Sequence, residues 1–435
     1  MTGRRLAILA ALLAGALSAA AGRAADSDAL TLRQLLDVAQ HDNKDLQAAR
    51  YAVEIGRGRL VQAGLLPNPR LDLAGRSDFA FKNEGEYGNS LYVTLPFPVA
   101  GRILRQKDVA RIDVALAQAE VAEAERQLAG DVAAAVYRVL VLDQQIQSRT
   151  ELADVEERLA KATRDRLKAA EVSELDVNTV QLDLQRLAQE RVLLQSQRRL
   201  LLVSLNTLVG RSAESALLIV EPLPDTDAVP GLEELQARAL ASRPDLRSAR
   251  LNADRAQAET ALAKASRWED WSVGVGVEQD KLAIEGVQAQ SSDRAIGLNL
   301  SIPIPLFDRN QGAISAAVAA GRQADARIEA LELAVAGEVS SAHAEALNLQ
   351  QLLNQYRTDL LPVSERNMQL AGKGYSQGQV SVLEAFQAQR QNADLNAAYL
   401  NTLDQFLQAL VRLRTATGEY LAPPASASVT DDKDP

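Results

Sequence analysis

Four phrases occur twice in this chain, in the same order. LTLRQLLDVAQHDNKDLQAAR (30–50) reads like GLEELQARALASRPDLRSAR (231–250), and LYVTLPFPVAGR (91–102) like LNLSIPIPLFDR (298–309). EVSELDV (171–177) matches QVSVLEA (379–385), and LNTLVGR (205–211) matches LRTATGE (413–419). A single short match arises by chance, but four in order mark a tandem duplication. Any fold must therefore be assembled from two copies of one unit, here residues 26–220 and 232–421. The joint, EPLPDTDAVPG at 221–231, is rich in proline and acid and reads as a linker.

Each copy repeats one order of elements. A helix comes first: DNKDLQAARYAVEIGRGRLVQAG (42–64) opens at Asp42 or Asn43, and SRPDLRSARLNADRAQAETALAKA (242–265) at Ser242. Two strands follow, at about 69–82 and 89–98 in the first copy and about 270–279 and 293–304 in the second. Leu71, Leu73, Phe79 and Phe81 share one parity, with Asp72, Arg76 and Asp78 on the other. Leu91, Val93, Leu95 and Phe97 oppose Ser90, Tyr92 and Thr94. Trp271, Val273, Val275 and Val277 oppose Ser272 and Glu278, and Ile296, Leu298, Leu300 and Ile302 oppose Asn299 and Ser301. Pro96 with Pro98, and Pro303 with Pro305, close the strands, because proline lacks the ladder donor.

Beyond those prolines the chain has no proline from 99 to 221 and no glycine from 131 to 209, so helix is the expected state. The run from 102 to 170 would be about 100 Å long at 1.5 Å per residue. Val180, Leu187, Leu194, Leu201 and Leu208 then recur every seven residues, as in a coiled coil. The second copy has a looser stripe of Leu395, Tyr399, Leu403, Phe406, Leu410 and Leu413. Where a long helix breaks, Ser173 precedes Asp176 by three residues and Ser381 precedes Glu384 by three, the pattern of a capping box. Each phrase is thus a helix start, and Gly378 supplies the preceding turn. The spacing predicts two helical hairpins with tips at about 168–176 and 374–384, on the same end of the molecule and far from the strands.

Composition decides the surroundings. Arg4 and Arg5 precede an apolar run and a small-residue zone, so residues 1–25 read as a secretory signal peptide. The chain has no cysteine, hence no lipid-modified cysteine at a new N-terminus. A net charge of −10 argues against nucleic acid. Aromatics make up 4% of residues, yet Phe79, Phe81, Tyr92, Trp268 and Trp271 gather around the strands as a membrane-interface belt would. A soluble sheet with one wet face is the rival reading. If the apolar face meets lipid, four strands cannot close a barrel, which needs about eight or more. Chains must then share one: two copies give eight strands and three give twelve.

These residues resemble the TolC family of outer-membrane efflux channels over the whole mature chain. The resemblance rests on the duplication, on the strand pair followed by a long helix in each half, and on Tyr375-x-x-Gly378 leading into VSVLEAFQAQR. LPNPRL (66–71) and IPIPLFDRNQGAI (302–314) are similar to the heavy-metal, CzcC-like branch. The resemblance implies a mostly α, α+β membrane protein: a homotrimer with a twelve-stranded outer-membrane β-barrel on a periplasmic α-helical barrel. It implies that the tips meet a periplasmic adaptor protein coupled to an inner-membrane RND pump. The adaptor residues would be Ala170, Glu171, Val172, Ser173 and Leu175, with Gly378, Gln379, Val380, Ser381 and Leu383. Gate candidates are Asp176, Tyr375, Glu384 and Gln387. Tyr375 matches the family tyrosine, Gln387 stands where the family often has an acid, and Glu384 lies one turn earlier. The first tip has Leu167 and Ala170 where the second has Tyr375 and Gly378.

Capping is the primary reading of Asp176 and Glu384, and a gate is compatible with it. Three Glu384 carboxylates around a narrow axis would attract cations and raise one another's pKa. His41 and His343 have no partner at ligand spacing, so no bound metal or cofactor is expected. No nucleophile–base pair or phosphate loop suggests an enzyme. Glycines 274 and 276 lie in a strand, where they relieve crowding. The expected function is an exit duct for heavy-metal cations. A duct for drugs or secreted proteins shares the fold, and a soluble coiled-coil adaptor is the alternative of another class. The tail, 422–435, has the composition of a disordered segment.

Overall fold

A computed structural model describes residues 29–80, 85–224, 229–282 and 292–419. The leader, the tail and Phe81 lie outside these residues. In chain order the elements are β1 (Ala29–Leu30), α1 (Leu32–Asp42), α2 (Lys44–Ala63), β2 (Arg70–Ser77), β3 (Tyr87–Phe97), α3 (Arg102–Lys168) and α4 (Glu174–Leu208). Then come β4 (Leu218–Ile219), α5 (Leu232–Ser242), α6 (Pro244–Ala265), β5 (Trp271–Lys281), β6 (Asp293–Ser301) and α7 (Gln311–Gln355). A π-helical turn (Tyr356–Leu360), α8 (Leu361–Ser376) and α9 (Val382–Ala416) complete the chain. Residues 48–123 and 244–334 make one compact unit, and the rest of the described chain makes the other.

The first of these units holds a four-stranded antiparallel sheet in the order β2-β3-β5-β6. The register aligns the apolar parity across all four strands: Leu71 with Val93, Val93 with Val275, and Val275 with Leu298. Leu73, Leu91, Val277 and Ile296 form a second such row. A slip of one residue would turn every row over, so this pattern fixes the pairing. The strands differ from expectation at their ends. β2 stops at Ser77, because the Ser77 hydroxyl accepts the Phe79 N–H at 3.2 Å and turns the chain. Phe79, expected inside the strand, is 80% exposed in that turn. β6 stops at Ser301, just before Ile302 and Pro303. Pro96 is inside β3, past the last β2 pair (Arg70–Thr94), where β5 alone lies beside it. Such an edge-like position tolerates a missing donor.

The other unit is helical, with one short parallel pair, β1–β4, at its margin. Val132, Val136 and Val139 of α3 and Leu403, Phe406, Leu407, Leu410 and Leu413 of α9 are buried at helical spacing. The seven-residue face of α4 is buried at Val180 and Leu187, with Leu205 at the intermediate position. Burying each such leucine contributes about 1.5–3 kcal/mol, which outweighs any intrinsic propensity.

Asn43 caps α2: its Oδ1 accepts the Leu46 N–H at 2.8 Å, and its Nδ2 donates to the Leu208 carbonyl at 2.8 Å. The equivalent corner of the second copy carries Arg243, which donates to the Ala416 carbonyl at 3.2 Å and to Glu338 at 2.7 Å. Ser242, expected to open this helix, instead ends α5 and donates to Arg238 and Thr417 carbonyls. Pro244 at the first helical position does the work of starting α6.

The π-helical turn also traces to the duplication. Arg309 follows Arg102 by 207 positions, whereas Ser381 follows Ser173 by 208. The second copy therefore carries one extra residue between these landmarks, and a π turn is how a helix absorbs one. It occurs at Tyr356–Leu360, just ahead of Pro362.

Candidate functional site

The two hairpin tips are built alike. At the first, the Asp176 N–H donates to Ser173 Oγ at 3.2 Å, and the Ser173 N–H and hydroxyl donate to Asp176 Oδ2 at 2.9 and 2.7 Å. At the second, Glu384 N–H to Ser381 Oγ is 3.2 Å, and both return bonds to Glu384 Oε2 are 2.9 Å. Each is a complete capping box. The preceding helices end in matching turns: Ala170 N–H bonds Leu167 O and Glu171 N–H bonds Arg166 O, as Gly378 N–H bonds Tyr375 O and Gln379 N–H bonds Gly374 O. Both turn residues have left-handed backbone, φ 60° at Ala170 and 74° at Gly378. Glycine takes this shape freely and alanine under strain.

Hydrogen bonding holds both box carboxyls below the usual carboxylate range. Ser173 hydroxyl leads for Asp176, and the Ser381 backbone N–H leads for Glu384. Both side chains therefore stay charged at neutral pH. Glu384 and Gln387 are exposed, while Asp176 is half-buried. The rims carry apolar side chains that nothing covers within the chain: Leu175 is 74% exposed and Leu383, two residues past the equivalent serine, 54%. Val172 and Val380 are half-buried beside them, while Ala170, Glu171, Ser173, Gly378, Gln379 and Ser381 are exposed.

Tyr375, in the last turn of α8 at the second tip, is buried. It is 7% exposed and packed in a cluster with Ala160, Val180, Val382 and Ala385. Its ring is covered by the Arg166 guanidinium 4.2 Å from the centroid, and Arg166 also donates to the Tyr375 carbonyl at 3.0 Å. The tyrosine hydroxyl is buried with no hydrogen-bond partner. Arg166 escapes sequence reasoning because it reads as one more basic residue at a helix end. The available signal was positional: it stands opposite Gly374 in the duplication, next to the Leu167–Tyr375 mismatch.

In the other unit the sheet sorts its faces. Leu71, Leu73, Val275, Ile296 and Leu298 are exposed on the apolar face, and the outer strands β2 and β6 each have one open edge within the sheet. The opposite face is polar. Thr94 donates to Asp72 at 2.6 Å, and Arg76 pairs with Asp280 at 3.2 Å. Tyr92 belongs to this polar face and donates to Glu278, which corrects its assignment to an interface belt. A Cβ at Gly276 would lie 2.6 Å from Tyr92 Cγ, and one at Gly297 2.0 Å from its hydroxyl. Gly297 makes room for a tyrosine lying across the sheet, while at Gly276 a Cβ would also meet the Leu91 carbonyl oxygen at 2.3 Å. Trp271 meets Phe97 edge-on at 6.2 Å on the apolar side, and Trp268 stands just ahead of β5, 6.0 Å from Arg267.

Among the described residues, no group of three or more histidine, aspartate or glutamate side chains converges as a metal cage. No described helix is long and apolar enough to cross a membrane.

Comparison with known proteins bears on both halves. The family model for outer membrane efflux proteins matches residues 35–211 and again 235–419. The chain is 27% identical to the cobalt-zinc-cadmium resistance protein CzcC of Cupriavidus metallidurans, over 89% of this chain and 90% of that one. A membrane protein from Pseudomonas aeruginosa superposes with a TM-score of 0.70 at 21% identity, covering 89% of this chain and 92% of the other. CusC, whose crystal structures concern transmembrane channel formation, superposes at 0.71 and 18% identity, covering 89% and 91%.

Proposed function

The chain belongs to the outer membrane efflux protein family, and on that premise we propose that it is the exit duct of a tripartite pump for heavy-metal cations. The family fixes the location and the broad activity, an outer-membrane efflux channel. The cargo class rests on the similarity to a cobalt-zinc-cadmium resistance protein along most of both chains.

One observation supports the rest: a sheet of four strands with one apolar face and two open edges. Open edges are not tolerated in hydrocarbon, and four strands do not close around a lumen. Three copies would supply twelve strands, with Leu71, Val275 and Leu298 toward lipid and Tyr92, Glu278 and Asp72 lining the water-filled side. The homotrimer removes every edge.

The tips supply the contact with the rest of the pump. Leu175 and Leu383 are exposed apolar residues on rigid capped turns, a surface suited to an adaptor hairpin from the periplasm. The adaptor would connect the duct to an RND-type inner-membrane pump. Asp176 and Glu384 present negative charge at the entry, while Tyr375 and Gln387 complete the gate segment.

Deleting the gene and challenging the strain with cobalt, zinc, cadmium, nickel and copper salts tests the cargo. Heightened metal sensitivity, restored by the wild-type gene, is expected. Sensitivity confined to organic drugs would overturn the metal assignment and leave the duct in place.

A further inference from the structure

Glu156 is 1% exposed, and among the described residues no other acid is buried so deeply. It lies on α3 and contacts Asp183 of α4 across the first hairpin, carboxyl to carboxyl in hydrogen-bond contact. Two carboxylates have no donor between them, so this contact requires a proton. The other oxygen, Glu156 Oε2, is buried without a partner.

The charged groups facing Glu156 are few. Asp183 and Arg186 come from α4 and Arg390 from α9. Arg186 is 3.9 Å from Asp183, but it bonds Glu190 at 3.1 Å, and Glu190 in turn takes Arg149 of α3 at 3.2 Å. That guanidinium is therefore shared and does not neutralise the pair. Gln389, beside Arg390, is also buried, and its Nε2 is unpartnered. Burial first, then the hydrogen bond that protonated Glu156 donates to Asp183 and the charge of that carboxylate, push Glu156 up to about 8.

The duplication provides an internal control. The residue 208 positions after Glu156 is Ser364, also buried, and its hydroxyl accepts from Asn392 at 3.3 Å. In the second hairpin the Glu156 position is a serine bonded to neutral Asn392 and the Asp183 position is Gln391, so neither acid is repeated.

We infer that the first hairpin is proton-linked: Glu156 and Asp183 hold one proton between α3 and α4, and its loss loosens that hairpin while the Ser364–Asn392 layer of the second is unaffected. A carboxyl whose native pKa exceeds its unfolded value binds more protons folded than unfolded. The native state then loses ground as pH rises from the ordinary glutamate value toward 8. This inference does not depend on the cargo or on the pump.

The test is thermal unfolding of the purified protein in detergent between pH 5 and 9, beside Glu156→Gln and Asp183→Asn. One proton changes the unfolding constant by up to about tenfold per pH unit within its window. The wild type should lose stability with rising pH more steeply than Glu156→Gln, and parallel curves would overturn the inference. Infrared difference spectra give a readout that needs no Glu156 variant. A protonated carboxyl band should bleach near pH 8 in the wild type and at lower pH in Asp183→Asn. A band that ignores the Asp183 substitution would equally remove the shared proton.

Discussion

The Arg166 guanidinium lies 4.2 Å from the centre of the Tyr375 ring and donates to the Tyr375 carbonyl at 3.0 Å, so one side chain of the first hairpin holds the tip of the second. Removing it forfeits a cation–π contact and a charged hydrogen bond, together about 1–3 kcal/mol when partly desolvated. Arg166→Ala should lower the thermal midpoint and raise single-channel conductance, with Arg166→Lys between. Tyr375→Phe is the complementary variant. The hydroxyl has no partner, so its removal should leave the midpoint unchanged or raise it slightly, whereas Tyr375→Ala should lower the midpoint, at a cost of about 3–5 kcal/mol of stability through the cavity left behind. A marked loss in Tyr375→Phe would contradict that hydroxyl's lack of a partner.

Ala170 holds φ 60° in the turn where the second copy has Gly378 at φ 74°. An L side chain is strained there, by roughly 1 kcal/mol. Ala170→Gly should stabilise the protein by about 0.5–1 kcal/mol, and Gly378→Ala should cost a similar amount. Chemical denaturation of the two variants, made in parallel, checks both signs.

Asn43 satisfies a helix-starting N–H and the Leu208 carbonyl together. Asn43→Ala leaves both unpaired in a buried corner and should cost about 1–3 kcal/mol. Asn43→Asp keeps the cap acceptor but loses the donor, and should fall between. An aspartate variant as stable as the wild type would show that the Leu208 carbonyl finds another donor, and equal midpoints for the alanine and aspartate variants would show that the cap acceptor contributes nothing.

These corners also show where the sequence was legible. The duplication, the two sheet hairpins and both capping boxes follow from spacing, because strand parity and Ser-x-x-acid boxes are local rules. The partners of Asn43, Arg166 and Glu156 lie 165, 209 and 27 residues away and depend on which helix faces are packed together. Periodicity names a face but not its neighbour. Tyr92 was misplaced for a related reason. Its aromatic character suggested an interface belt, while its parity already set it with Ser90 and Thr94 on the polar face. The glycines opposite it, Gly276 and Gly297, were the missing clue, since they make sense only once the strands are in register.

That register gives a further prediction. Gly276→Val or Gly297→Val places a side chain where the Tyr92 ring lies. Each should reduce the yield of assembled protein extracted from outer membranes, and a second change, Tyr92→Ala, should partly restore the Gly297→Val yield. Failure of that rescue would mean that Tyr92 does not occupy the space in the assembled sheet.

Glu384 separates two roles that one carboxylate fills. As the third helical residue it bonds the Ser381 N–H and hydroxyl, and those bonds hold its pKa down. The stabilisation is present above the unfolded glutamate value and is lost as pH falls through the lower native one, so mild acid should weaken the tip. Glu384→Gln retains an amide oxygen for the same two bonds but carries no charge. It should keep the neutral-pH midpoint, lose the acid sensitivity, and reduce the preference of the channel for cations over anions. Glu384→Ala should lose the cap as well and show a lower midpoint at every pH. Unchanged ion selectivity in Glu384→Gln would leave the residue as a cap alone, and would move the search for entry charge to Asp176 in the matching box of the first hairpin.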